Sequence, residues 1–232
     1  MMQNYSNGAL VMKIVKSKIS NLSKGFFQWP LVFTGIITFF CAVYAQDISE
    51  AKKLLKQGRF MQTIEYLGEP KNAESYLIAG SAYYSLMLNN KYSTEDRVKY
   101  RRKAEEFLGR AYAVSSDREI RARALLLHAA VIHLNEISLK QKRVALGKLH
   151  RILTDSSLKK SASYDDAVLT TAIIYTRMGW YTQASAHFKK LAMLKSSDNS
   201  VYDPEINLVT TPKEASEIGM RRLNRIRRGI KD

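Results

Sequence analysis

Side chains able to carry acid–base or metal chemistry are few in this chain, and their spacing does not gather them. Its four histidines include His128 and His133, which are five positions apart and so do not share a helix face as an i, i+4 metal-binding pair does. His133 and Glu136 could meet on one face, an arrangement more often found as a surface hydrogen bond than as a site. His150 and His187 stand alone, with no cysteine beside them, and no glycine-rich phosphate loop appears. The single cysteine, Cys41, follows Phe40 rather than the small residue that lipid attachment at a bacterial cysteine requires. This inventory predicts no catalytic set, no metal and no cofactor. An enzyme remains an alternative only through a carboxylate or histidine cluster that the linear order conceals.

The elements that would position any site are legible from a repeat. Thr63, Ala104, Ala145 and Ala184 are separated by 41, 41 and 39 residues. Each is followed four residues later by Leu67, Leu108, Leu149 or Phe188, and three residues after that come Pro70, Ala111, Ile152 and Leu191. A constant period of this size is the mark of stacked supersecondary units. Apolar residues at helical spacing over 166–175 and 181–194, parted by Arg177-Met178-Gly179-Trp180, predict a helix–turn–helix hairpin. Helix starts are expected where Ser93, Ser116 and Ser163 precede Asp96, Glu119 and Asp166 by three residues, and at Thr211-Pro212-Lys213-Glu214.

The hairpins resemble tetratricopeptide repeats. The fourth unit carries the resemblance through Ala172, Tyr175, Gly179, Tyr181, Ala184, Phe188 and Leu194, and the second through Tyr76, Gly80, Tyr83, Ala104, Leu108 and Ala111. The second unit departs from the family by about a dozen extra residues around Leu88 to Tyr100. The first keeps only Ala51, Gly58, Phe60, Ile64 and Leu67, and the third keeps periodicity with few signature residues. The resemblance implies an all-α fold of antiparallel helix-hairpin repeats, a tetratricopeptide-like α-solenoid with a C-terminal capping helix. It also implies that first helices line a concave binding face, here Leu77, Ser81 and Tyr84, then Leu169, Ile173, Thr176 and Arg177. The paired Lys and Asn residues with which some members clamp a C-terminal carboxylate are absent.

Residues 1–45 hold Lys13, Lys16, Lys18 and Lys24, no acidic residue, and an apolar run from Leu31 ending in Val43-Tyr44-Ala45. That order predicts a secretory signal, or an N-terminal membrane segment if it is not cleaved. The expected divisions are then 1–45, a repeat domain over 46–196 (units 46–70, 73–116, 117–155 and 163–196), a linker over 197–211, and a basic amphipathic helix over 212–232.

Setting the four N-terminal lysines aside leaves 33 basic against 21 acidic side chains, a surplus of 12. Such a surplus predicts an anionic partner. The candidate basic surface is Arg97, Lys99, Arg101 and Arg102 on one helix, with Arg221, Arg222, Arg225, Arg227 and Arg228 at the C-terminus. A third group, Lys140, Lys142, Arg143, Lys148 and Arg151, lies between them. In the last helix Met220, Leu223, Ile226 and Ile230 form an apolar stripe, which would either cap the solenoid or bind anionic lipid. Together these readings predict an exported, non-enzymatic scaffold of the bacterial envelope, periplasmic or envelope-associated, within an assembly such as a secretion or flagellar apparatus. It would bind an acidic protein or peptide. A membrane-surface protein is the alternative, and nucleic acid is disfavoured by export.

Overall fold

The computed structural model describes residues 48–135, 138–194, 200–206 and 208–229, all within the unit spanning 47–232. The N-terminal segment 1–45, Glu136 and Ile230 lie outside the described residues. The chain runs through α1 (48–56), α2 (Phe60–Leu67), α3 (Ala73–Leu88), α4 (Thr94–Val114), α5 (Arg118–Asn135) and α6 (Leu139–Thr154). A single 3-10 turn, Leu158–Lys160, leads to α7 (Tyr164–Arg177) and α8 (Tyr181–Ala192), then strands β1 (Val201–Asp203) and β2 (Leu208–Thr210), and α9 (Pro212–Arg227). Each helix from α2 to α8 packs on the next, giving stacked helix pairs in a solenoid-like order.

The repeat register explains the stacking. Thr63, Ala104, Ala145 and Ala184 are all fully buried, so a small side chain sits wherever a second helix presses on its neighbours. One turn on, Leu108, Leu149 and Phe188 fill the space beside them at 0–2% exposure, and Ala111, Ile152 and Leu191 close the same face. Burial of each large side chain is worth about 1.5–3 kcal/mol. Gly80 marks a close approach: a Cβ there would lie 2.7 Å from Leu108 Cγ, so α3 and α4 touch closely only because this position has no side chain.

The extra residues of the second unit lengthen helices rather than form a loop. α3 continues to Leu88, a short turn follows, and α4 reaches 21 residues. Arg97 Nε donates to the Met87 carbonyl at 2.8 Å, satisfying a last-turn acceptor of α3, while Tyr92 meets Tyr100 edge-on at 5.2 Å.

Two of the expected caps differ. Ser93 accepts from Asp96 N, and Thr211 forms a reciprocal capping box with Glu214. At α5, however, Asp117 takes the capping role, accepting from Glu119 N at 2.7 Å and Ile120 N at 3.0 Å in place of Ser116. Ser163 makes no side-chain cap; its backbone is helical, and Asp166 reaches across to Tyr202 N at 2.9 Å.

The stretch expected as a linker is also different where it is described. β1 and β2 pair antiparallel with Val201 opposite Thr210 and Asp203 opposite Leu208. Val201 is buried at 1% exposure in the cluster of Leu169, Ile173, Phe188 and Leu223. α9 lies on α8 through Ala215, Ser216, Gly219 and Leu223, with Ser216 Oγ donating to the Phe188 carbonyl at 2.7 Å. The apolar stripe thus covers the last repeat, with Leu223 fully buried.

Candidate functional site

The seven residues expected along the concave face divide into two groups. Leu77, Ser81 and Tyr84 of α3 line an open cleft of about 600 Å³, together with Leu55 of α1, Phe60 of α2, Arg123 and Leu127 of α5, and Tyr202 of β1. Serine at position 81 spends its hydroxyl on the Leu77 carbonyl at 2.8 Å, and Ser85 likewise bonds Ser81 at 3.1 Å, so both present little polarity beyond satisfied hydroxyls. The walls are therefore mainly apolar. Burial, reinforced by Tyr202, pushes the Tyr84 phenol up despite the pull of Arg123, which keeps it a neutral hydrogen-bonding group.

Arg123 supplies the positive charge at this cleft. Its nearest carboxylate, Asp166, is 3.6 Å away, an ion pair longer than a hydrogen bond, and the arginine side chain is half exposed. Asp166 itself is raised by burial, with the Tyr202 amide and Arg123 acting against the shift. The arrangement joins a fixed apolar floor to one cation able to meet a carboxylate.

The second group, Leu169, Ile173, Thr176 and Arg177, is covered by the chain itself. Leu169 and Ile173 are core residues at 1% and 3% exposure, and Thr176 donates to the Ala172 carbonyl. Over them lies an ionic knot centred on Glu205. Its Oε1 accepts from Arg177 Nε at 2.7 Å and faces His133 Nε2 at 3.2 Å; its Oε2 accepts from Arg177 Nη2 at 3.0 Å and Arg222 Nη2 at 3.1 Å. Arg222 Nη1 also bonds Asp203 Oδ2 at 3.1 Å, and Lys142 Nζ donates to the Arg177 carbonyl at 3.2 Å. Burial would raise the Glu205 carboxyl, but the bonds from His133 and Arg177 outweigh it and hold the group at about 2. The knot joins α5, α7, the hairpin and α9.

Arg222 is thus a correction to the expected basic surface: its side chain points inward and is paired. Arg97 caps α3, Lys99 lies near Glu95 and Asp96, and Arg101 is 3.8 Å from Glu105 with its side chain 24% exposed. Arg102, Arg221, Arg225, Arg227 and Arg228 are exposed. His133 meets Glu205 instead of a neighbour on its own helix, a contact between residues 72 apart that no local spacing announces. Asp203, Glu205 and Gly219 carried no signal in the sequence as docking residues. Among the described residues no group of three or more His, Cys, Asp or Glu could hold a metal ion, and no helix is long and apolar enough to cross a membrane. In comparisons with known proteins, the chain matches no family model, no curated protein and no solved structure.

Proposed function

We propose that this chain is a non-enzymatic, tetratricopeptide-like adaptor that holds a segment of a partner protein in the cleft between α3 and α5. The observation that carries this reading is the cleft of about 600 Å³ itself, lined by Leu55, Phe60, Leu77, Tyr84 and Leu127 with Arg123 among them. Its volume and apolar lining suit a few buried side chains, and Arg123 suits a carboxylate on the same segment. The covered half of the face supports that chemistry by example. There the chain's own hairpin supplies an apolar residue, Val201, and a carboxylate, Glu205, to a surface bearing Arg177, while Asp203 and Glu205 also hold Arg222 of α9. The partner is accordingly an acidic, partly apolar peptide segment.

Placement in the cell envelope rests on the signal-like order of residues 1–45 and on the excess of basic residues, and a secretion or flagellar assembly is the setting proposed for it. A second reading has one observation in its favour. Arg221 and Arg227 are exposed on a helix whose apolar side is docked, and Arg228 is exposed at its C-terminal end, a cationic strip suited to anionic lipid.

Partner capture from envelope extracts with the full chain, a Ser85→Arg variant that fills the cleft, and an Arg227→Glu/Arg228→Glu variant tests both. The adaptor reading expects specific proteins that are retained at high salt and lost only in Ser85→Arg. Loss only in the charge-reversed variant, or only at high salt, transfers function to the C-terminal strip.

A further inference from the structure

A cluster of cations converges away from the cleft, on residues that take no part in lining it. The Tyr112 hydroxyl of α4 accepts from two arginines at once: Arg121 Nη2 of α5 and Arg151 Nη1 of α6, each at 3.3 Å. Both guanidinium carbons also lie over the Tyr112 ring, 5.0 and 5.8 Å from its centroid. Lys148 stands three residues before Arg151 on α6, one turn away on the same side. The planar guanidinium fork favours a pair of anionic oxygens, as carboxylates and phosphates present. Here two of them share one neutral phenol oxygen, at the long end of the hydrogen-bond range.

The carboxylates that act on this group have other commitments. Asp155 accepts from Ser157 N, Ser157 Oγ and Leu158 N, and Glu105 is paired with Arg101. Arg121 Nε is buried without a hydrogen-bond partner. We propose that Tyr112, Arg121, Lys148 and Arg151 form a receptor for a phosphate-class oxyanion, taken either as free phosphate or as a small phosphate monoester.

The site supplies what such a ligand needs. Arg121 and Arg151 donate from two different helices, the phenol adds an O–H donor, and Lys148 adds a point charge. Local titration agrees with a positive field. The hydrogen bond from Arg121 leads in pulling the Tyr112 phenol down, burial followed by Arg151 lowers the Lys148 amine, and burial followed by Lys148 lowers His128 to about 4. In each, a neighbouring cation contributes to the shift. An anion placed between the guanidinium groups relieves their mutual repulsion, and the same element contacts then fix α4, α5 and α6 around it.

Calorimetric titration of the full chain with inorganic phosphate, and separately with glycerol 3-phosphate, at constant ionic strength tests the proposal. The expected result is saturable one-site binding that Arg151→Gln weakens about tenfold, the loss of one charge-assisted hydrogen bond, and that Arg228→Gln leaves unchanged. Tighter binding of the free anion identifies phosphate itself as the ligand; equal or tighter binding of the ester identifies a small phosphate monoester. Absence of saturable binding with both ligands at millimolar concentration overturns the proposal, as does equal affinity in Arg151→Gln or an equal loss in Arg228→Gln. Arg151 is exposed, so its variant keeps the fold. An independent reading is the alkaline absorbance titration of tyrosine, in which saturating phosphate raises one phenol in the parent chain and none in Tyr112→Phe; an unchanged curve in the parent chain also counts against the site.

Discussion

Gly219 sits where α9 crosses Phe188, and a Cβ at this position would come within 2.1 Å of the Phe188 ring. That ring is 2% exposed and hemmed in by Leu223, so it has no room to swing away. Gly219→Ala therefore loses about 1–2 kcal/mol despite the better helix propensity of alanine, measurable as a lower denaturation midpoint. Glu205→Gln acts through charge. It leaves Arg177 and Arg222 facing a neutral amide and should cost about 2–3 kcal/mol near neutral pH, less than for a fully enclosed pair because the Arg177 side chain is half exposed. Glu205 titrates at about 2 in the folded chain against an ordinary 4.5, so unfolding takes up a proton in acid. Its stabilisation is complete above about pH 4.5 and disappears as pH falls to about 2. Urea melts of parent and variant should show a constant gap above that window and convergence below it. His128, lowered to about 4 from 6.5, adds an earlier loss: the folded state refuses a proton that the unfolded state accepts, so stability declines as pH drops through that interval.

At the scale of elements, α9 is part of the last repeat's core rather than a detachable tail. Ending the chain at Thr210 removes Leu223 from above Phe188 and Leu191 and removes the Arg222 bonds to Asp203 and Glu205. The truncated chain is expected to lose several degrees of thermal stability, and protease cleavage should begin within the β1–β2 hairpin; a truncated chain as resistant as the parent would show that the hairpin holds by itself. The amphipathic stripe of this helix was readable from Met220, Leu223 and Ile226, as was its capping box. The hairpin was not. Strands of three residues leave no alternation long enough to detect, and Val201 is buried only because the α7 and α8 surfaces lie opposite it.

For the whole molecule, stacking in one direction makes stability local. α1 and α2 lie at the N-terminal end of the described stack; α2 has only eight residues, and its Met61 and Tyr66 are exposed. α5 to α7 instead surround the cluster of Leu125, Leu149, Ile152 and Ile174. Hydrogen exchange should be fastest in α1 and α2 and slowest in α5 to α7. Uniform protection across the repeats would contradict this one-dimensional picture. The open cleft lies at the less protected end, where a bound partner segment would also slow exchange in α2 and α3.

The period of about 41 residues and the small-then-large register through Ala104 and Leu108, or Ala184 and Phe188, determined by themselves that helices pair and stack, because close helix approach and gap filling are set by side-chain size at helical spacing. The placing of Leu77, Ser81 and Tyr84 on an inner face came from the resemblance to tetratricopeptide repeats and not from the period; all three line the open cleft. Only the tertiary structure decided that half of that face is covered by the chain's own hairpin, that Arg222 turns inward, that His133 finds Glu205, and that Tyr112, Arg121 and Arg151 converge. Those contacts join residues 9 to 72 positions apart, and what selects them is a charge or hydroxyl brought within reach by helix packing, which has no period in the chain.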